Sequence, residues 1–234
     1  MIRVVIAAAT LALTADLALA QTATPHTAAT PETTATPQAA ATPAKPAPAP
    51  ARLTPADAIP ALAPAAAPAG EPLFAAIAAG GASWTLGEST LADVARAFGG
   101  KPDEGGPEGA PAAWLCFAGT AAGRPSIFWF VSDGDAEAQP LTRIAVEPQD
   151  DRGAGTCMPA PPALDGIDAG IPGPGARLAD LRGALGDATP GPRGHVHYSV
   201  SIATPNGGAA AQTAIYSAAA GKVAGLSLGQ IATD

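Results

Sequence analysis

The sequence predicts an α+β domain: a tandem duplication of a short helix plus a three-stranded antiparallel meander, preceded by a disordered Pro/Ala/Thr-rich segment. Three observations lead there. A ten-residue helical pattern is written twice, as TLADVARAFG at 90–99 and RLADLRGALG at 177–186. Strand-like runs follow each copy, separated by turns rich in Gly, Asp, Pro and Asn. Composition also breaks near residue 70, and every Phe, Trp and Tyr lies beyond that break.

The chain opens with MIRVVIAAATLALTADLALA, which has the three parts of a secretory signal over 1–20. Arg3 is the positive start, an apolar stretch follows, and Ala18-Leu19-Ala20 is a small-x-small cleavage site. The apolar stretch is interrupted by Asp16 and is short for a bilayer span, so no membrane span is expected in the mature chain. Residues 21–70 are almost wholly Ala, Pro and Thr. Such a segment buries too little to offset its ordering entropy, and it reads as a disordered linker. Its prolines bias it toward extended polyproline II, giving a spacer of up to ~150 Å.

The domain proper is expected as a first α+β repeat over 71–162 and a second over 163–234. In the first copy Leu91, Val94, Ala95 and Phe98 form one helical stripe. Thr90 and Asp93 make a capping box, and Gly99-Gly100 stop the helix. The second copy keeps Leu178, Leu181, Leu185 and Asp180, but Arg177 stands where Thr90 stood, which weakens the cap. Strands are expected at 114–117, 126–131 and 141–146, then at 195–202, 213–218 and 223–228.

Cys116 and Cys157 are the only cysteines. In an exported chain an even pair most simply means one disulfide, and closing a loop of about 40 residues contributes ~3–4 kcal/mol. The net charge is −8, and the three lysines, Lys45, Lys101 and Lys222, are scattered. An acidic chain with no basic patch is a poor fit to nucleic acid or to an anionic membrane surface.

From Gly87 the order is Gly, Ser/Thr, an acid-Val helix, an aromatic or Leu, Gly, then Pro and a Trp-bearing strand. This order resembles the BamE/SmpA family of outer-membrane assembly lipoproteins. It is also similar to the related tandem-repeat β-lactamase-inhibitor-protein fold. The resemblance covers about 85–230 and rests on degenerate positions. It implies a periplasmic or secreted protein that binds other proteins through its sheet face and loops. The lipobox cysteine of the assembly lipoproteins is missing here, and an inhibitor's contact residues have no identifiable counterparts.

No constellation specifies catalysis. Gly87-Glu88-Ser89 lacks the second glycine of a nucleophile elbow and reads as the entry to a helix, and the glycine runs do not join a strand to a helix as phosphate loops do. Glu147, Asp150 and Asp151 in EPQDD lack calcium-loop spacing and read as a solvated loop. His195 and His197 share one face of an extended run and are half of a zinc or copper site at most, lacking a third ligand nearby. In the aromatic strand Phe128 and Phe130 point one way and Trp129 the other, with Trp114 on the neighbouring strand. These four rings either fill a core or form a partner-binding surface. The expectation is a non-enzymatic, cofactor-free, exported (periplasmic or secreted) interaction module of the bacterial envelope, whose partner is another envelope or secreted protein. The alternatives are a secreted hydrolase inhibitor or a metal-binding protein using His195 and His197.

Overall fold

In the computed structural model, residues 53–60, 69–106, 111–134, 139–150, 153–204 and 207–233 are described. All fall within one compact unit, Pro48–Asp234. The predicted signal sequence, and the linker apart from 53–60, 69 and 70, lie outside the described residues.

The chain begins with a one-turn helix, α1 (Pro55–Ala58), and a tight hairpin of β1 (Ile77–Ala79) and β2 (Ala82–Trp84). Helix α2 (Leu91–Phe98) follows, then β3 (Asp103–Gly105), β4 (Ala112–Ala121), β5 (Arg124–Asp133) and β6 (Arg143–Pro148). Two-residue strands β7 (Met158–Pro159) and β8 (Ile167–Asp168) precede helix α3 (Leu178–Leu185). The chain ends with β9 (Thr189–Pro190), β10 (Val196–Ala203), β11 (Ala209–Ala219) and β12 (Lys222–Thr233).

Eight of these strands form one sheet in the order β3-β4-β5-β6-β12-β11-β10-β9, and β7 adds to β4 as a ninth. Every pair along the path is antiparallel, while β7 runs parallel to β4. A separate sheet, β2-β1-β8, lies beside it.

This corrects the predicted fold class. The chain is a mostly-β molecule built on one wide antiparallel sheet, not an α+β tandem of helix-plus-meander units. Two physical reasons account for the difference. The main strands run to ten, eleven and twelve residues, far beyond the apolar cores that marked them in the sequence, whereas α2 and α3 are eight residues each. Short strands β1, β2, β3, β7, β8 and β9 also carry too few residues to show any period.

Local chemistry still explains each element. Thr90 Oγ1 accepts from the Asp93 amide and the Asp93 carboxylate accepts from the Thr90 amide, closing the capping box of α2. In α3 only the second half of that device survives: the Asp180 carboxylate accepts from the Arg177 amide and guanidinium. The hairpins β4–β5 and β11–β12 both turn on Ala-Gly with two positive φ values, 49° and 76° at Ala122-Gly123 and 51° and 74° at Ala220-Gly221. That conformation is the primed two-residue turn, for which alanine is a poor first residue. Ala122→Asn is expected to raise stability by about 0.5–1 kcal/mol, read as an increase in the thermal midpoint with no change in the disulfide.

Both faces of the sheet are buried over β4–β6. On the first face Phe117, Phe128, Phe130, Val146, Tyr216 and Leu226 pack with Leu91 and Val94 of α2 and with Leu181 of α3. Phe98 of α2 lies among Trp84, Phe117 and Phe130, with ring centroids 5.6–5.8 Å apart. On the second face Trp114, Cys116, Ile127, Trp129 and Val131 pack under Leu53 and Ile59. Residues 53–60, which composition assigns to the disordered linker, are therefore part of the fold. Arg143 Nη1 donates to the Pro60 carbonyl at 3.2 Å and fastens that segment down.

Candidate functional site

The four aromatics offered by the sequence as a partner surface are all in the core. Trp114 is 2 % exposed, Phe128 1 %, and Trp129 and Phe130 0 %. Phe128 and Phe130 fill the first face, while Trp114 and Trp129 fill the second. The alternation across the strand is as expected, but the cover over Trp129 comes from the N-terminal segment. Cys116 and Cys157 are bonded, with Cα atoms 4.9 Å apart, and tie β4 to the loop entering β7. Such a bond fits a protein of an oxidising compartment. No helix among the described residues is long and apolar enough to cross a membrane.

The structure gives His195 and His197 different settings. His197 sits on β10 opposite Ile215 of β11, while His195 precedes the strand and its carbonyl accepts from the Gly191 amide at 2.8 Å. Desolvation lowers the pKa of both, and the positive charge of Arg193 lowers that of His195 further. Among the described residues no three His, Cys, Asp or Glu side chains group together as metal ligands.

Two concave features stand out instead. One is an open groove of about 750 Å³ between α3 and the edge of the sheet, with Leu178, Leu181, Val196 and Tyr198 lining it. Its other border carries Arg182 and Asp187, an exposed ion pair at 3.1 Å. The packing explains why it is open. Against α2 the space is filled by four aromatic rings, whereas near α3 the only ring pair is Tyr198 with Tyr216, 5.9 Å apart. At equivalent positions α3 carries Gly183 where α2 carries Arg96, and Leu185 where α2 carries the larger Phe98. Only Leu181 of α3 is fully buried.

The other is a small cavity of about 160 Å³ on the second face, beneath Leu53 and Ala58. Ile127 and Trp129 line it from β5 and Glu147 from β6, and Asp150 stands at its exposed rim. Register explains the grouping, because Ile127 pairs with Glu147 and Trp129 with Ala145, all facing the same way. Glu147 is 7 % exposed. Its Oε2 accepts from the Ser217 hydroxyl at 3.0 Å, and Gly225 leaves room for that oxygen where a Cβ would strike it. Its Oε1 is buried without a hydrogen-bond partner, as is Trp129 Nε1. Burial pushes the carboxyl up to about 7, against the opposing hydrogen bond from Ser217.

Glu147 is the residue that sequence reasoning misplaced, since EPQDD reads as a solvated loop. The strand runs on through Glu147 to Pro148 and carries the carboxylate under the N-terminal segment. The only available signal was alternation, because Arg143, Ala145 and Glu147 share a face along β6. Comparison with protein-family models, with curated proteins and with solved structures gives no match.

Proposed function

We propose that the chain is an exported, non-enzymatic protein-interaction module of the bacterial envelope, and that it receives its partner in the groove beside α3. The observation that carries this reading is the unfilled space between α3 and β10. It has an apolar lining from Leu178, Leu181 and Val196 and a charged border from Arg182 and Asp187, the layout of a recognition surface with a dry centre and a polar rim. The disulfide and the signal-like first twenty residues support export. The resemblance of 85–230 to envelope assembly lipoproteins points to the periplasm, with another envelope or secreted protein as partner.

A photo-crosslinking residue placed at Ala179, exposed on the groove wall, tests the reading in cells. A discrete crosslinked band is expected from that position and none from the exposed Thr120 at the far hairpin. Equal labelling from both positions, or none from Ala179, overturns it. A hydrolase inhibitor is the second reading only if the crosslinked protein is a hydrolase whose activity the purified domain suppresses.

A further inference from the structure

We infer that the cavity under residues 53–60 is a binding site for a small organic ammonium compound, with Glu147 as its counter-ion. The site is built on the second sheet face and is separate from the α3 groove, so neither depends on the other.

The geometry assigns each part. Oε2 of Glu147 is turned toward Ser217 and Gly225, on the β11–β12 side. Glu147 borders the cavity together with Ile127 and Trp129 of β5, and its Oε1 is buried without a hydrogen-bond partner. A carboxylate buried among apolar walls without a cation is costly, and a ligand ammonium group supplies both the charge and the hydrogen bond it lacks. The Trp129 indole lines the same space, and tryptophan is the strongest side chain for holding an ammonium group against an aromatic ring. Asp150 adds negative charge at the mouth, which favours entry of a cation.

Size and chemistry select against the other cations. A volume of about 160 Å³ accepts roughly five to eight non-hydrogen atoms at ~20–30 Å³ each. Calcium needs six to eight oxygen ligands, and here the side-chain oxygens are two carboxylates in a wall otherwise made of Leu53, Ala58, Ile127, Trp129 and Pro148. The segment above the cavity is held by Leu53, Ile59 and the Arg143 hydrogen bond to Pro60, so its place over the site is fixed by the fold.

The test is calorimetric titration of the intact mature protein with ethanolammonium chloride, with choline chloride, 1-propanol and calcium chloride as comparators. Saturable one-to-one binding of ethanolammonium is expected, with a change in tryptophan emission, weaker binding of choline, whose nitrogen has no N–H to donate, and no binding of 1-propanol. Glu147→Gln is expected to weaken binding at least tenfold. Ala58→Phe, which fills the cavity from the segment above, is expected to abolish it, and this variant decides the matter if Glu147→Gln fails to fold. Ser217→Ala keeps the carboxylate and is expected to retain binding. Absence of ammonium binding, binding unchanged in Glu147→Gln and Ala58→Phe, equal binding of 1-propanol, or binding of calcium alone overturns the proposal.

Discussion

Trp129→Ala lowers the thermal midpoint by roughly 10–15 °C, corresponding to a loss of about 3–5 kcal/mol in a domain of this size. The indole is fully buried, and its contacts come from two directions: the sheet below and Leu53 and Ile59 above. Removing it leaves a void that the sheet cannot collapse, because Ala145, its cross-strand neighbour, is already small. It also takes away the surface on which the N-terminal segment is seated. Phe130→Ala on the opposite face is expected to cost a similar amount, since Trp84, Phe98 and Phe117 all lose a ring partner. The discriminating measurement is fluorescence. Trp129→Ala should leave Trp84 emission unchanged, whereas Phe130→Ala should shift it. A loss below 1 kcal/mol for Trp129→Ala is the result that removes the second face from the core.

Glu147→Gln raises stability at pH 8 and removes most of the dependence of stability on pH between about 4.5 and 7. The sign follows from the direction of the shift. The carboxyl has a folded pKa of about 7 against 4.5 for the free group, so the folded state binds the proton more tightly than the unfolded chain. Its contribution is fully present below pH 4.5 and is lost as the pH rises through 7. The interval is worth on the order of 3 kcal/mol. Burial raises the pKa, and the Ser217 hydroxyl, which donates to the carboxylate, opposes that shift by favouring the ionised form. Denaturant melts at pH 5 and pH 8 provide the check: the wild-type midpoint should fall between them and that of Glu147→Gln should not. A wild-type midpoint that rises over this range contradicts a buried, unpaired carboxyl.

The sequence was informative where period and punctuation agree. The helical stripe with its Gly stop placed α2 and α3 to the residue, as Leu91–Phe98 and Leu178–Leu185. The centres of the six longer strands also lie where alternation and apolar runs put them. The even cysteine pair, read together with the signal-like first twenty residues, led to the observed bond. Three things were hidden, each for a physical reason. Strand length was underread because Ala, Gly and Ser at strand ends, as in Ala209–Gln212, carry little strand preference and are held by their pairing partners. The fold class followed that error, since the short helices looked like equal partners of short strands. The cavity was invisible because its lid, Leu53 to Pro60, sits inside a run of Ala and Pro and is ordered only by tertiary contact with β5 and β6. Glu147 then looked like its neighbours in an acidic loop.

Placement of that lid has a mechanical consequence. Among the described residues, tension applied from the N-terminal side reaches Leu53 before any strand, so load falls there on contacts that include Leu53, Ile59 and the Arg143 hydrogen bond to Pro60. Those contacts open one after another, like a zip, whereas the long β11–β12 and β4–β5 hairpins resist as whole ladders and the Cys116–Cys157 bond anchors β4. A pull from that side therefore uncovers the indole of Trp129 while the sheet beneath remains whole.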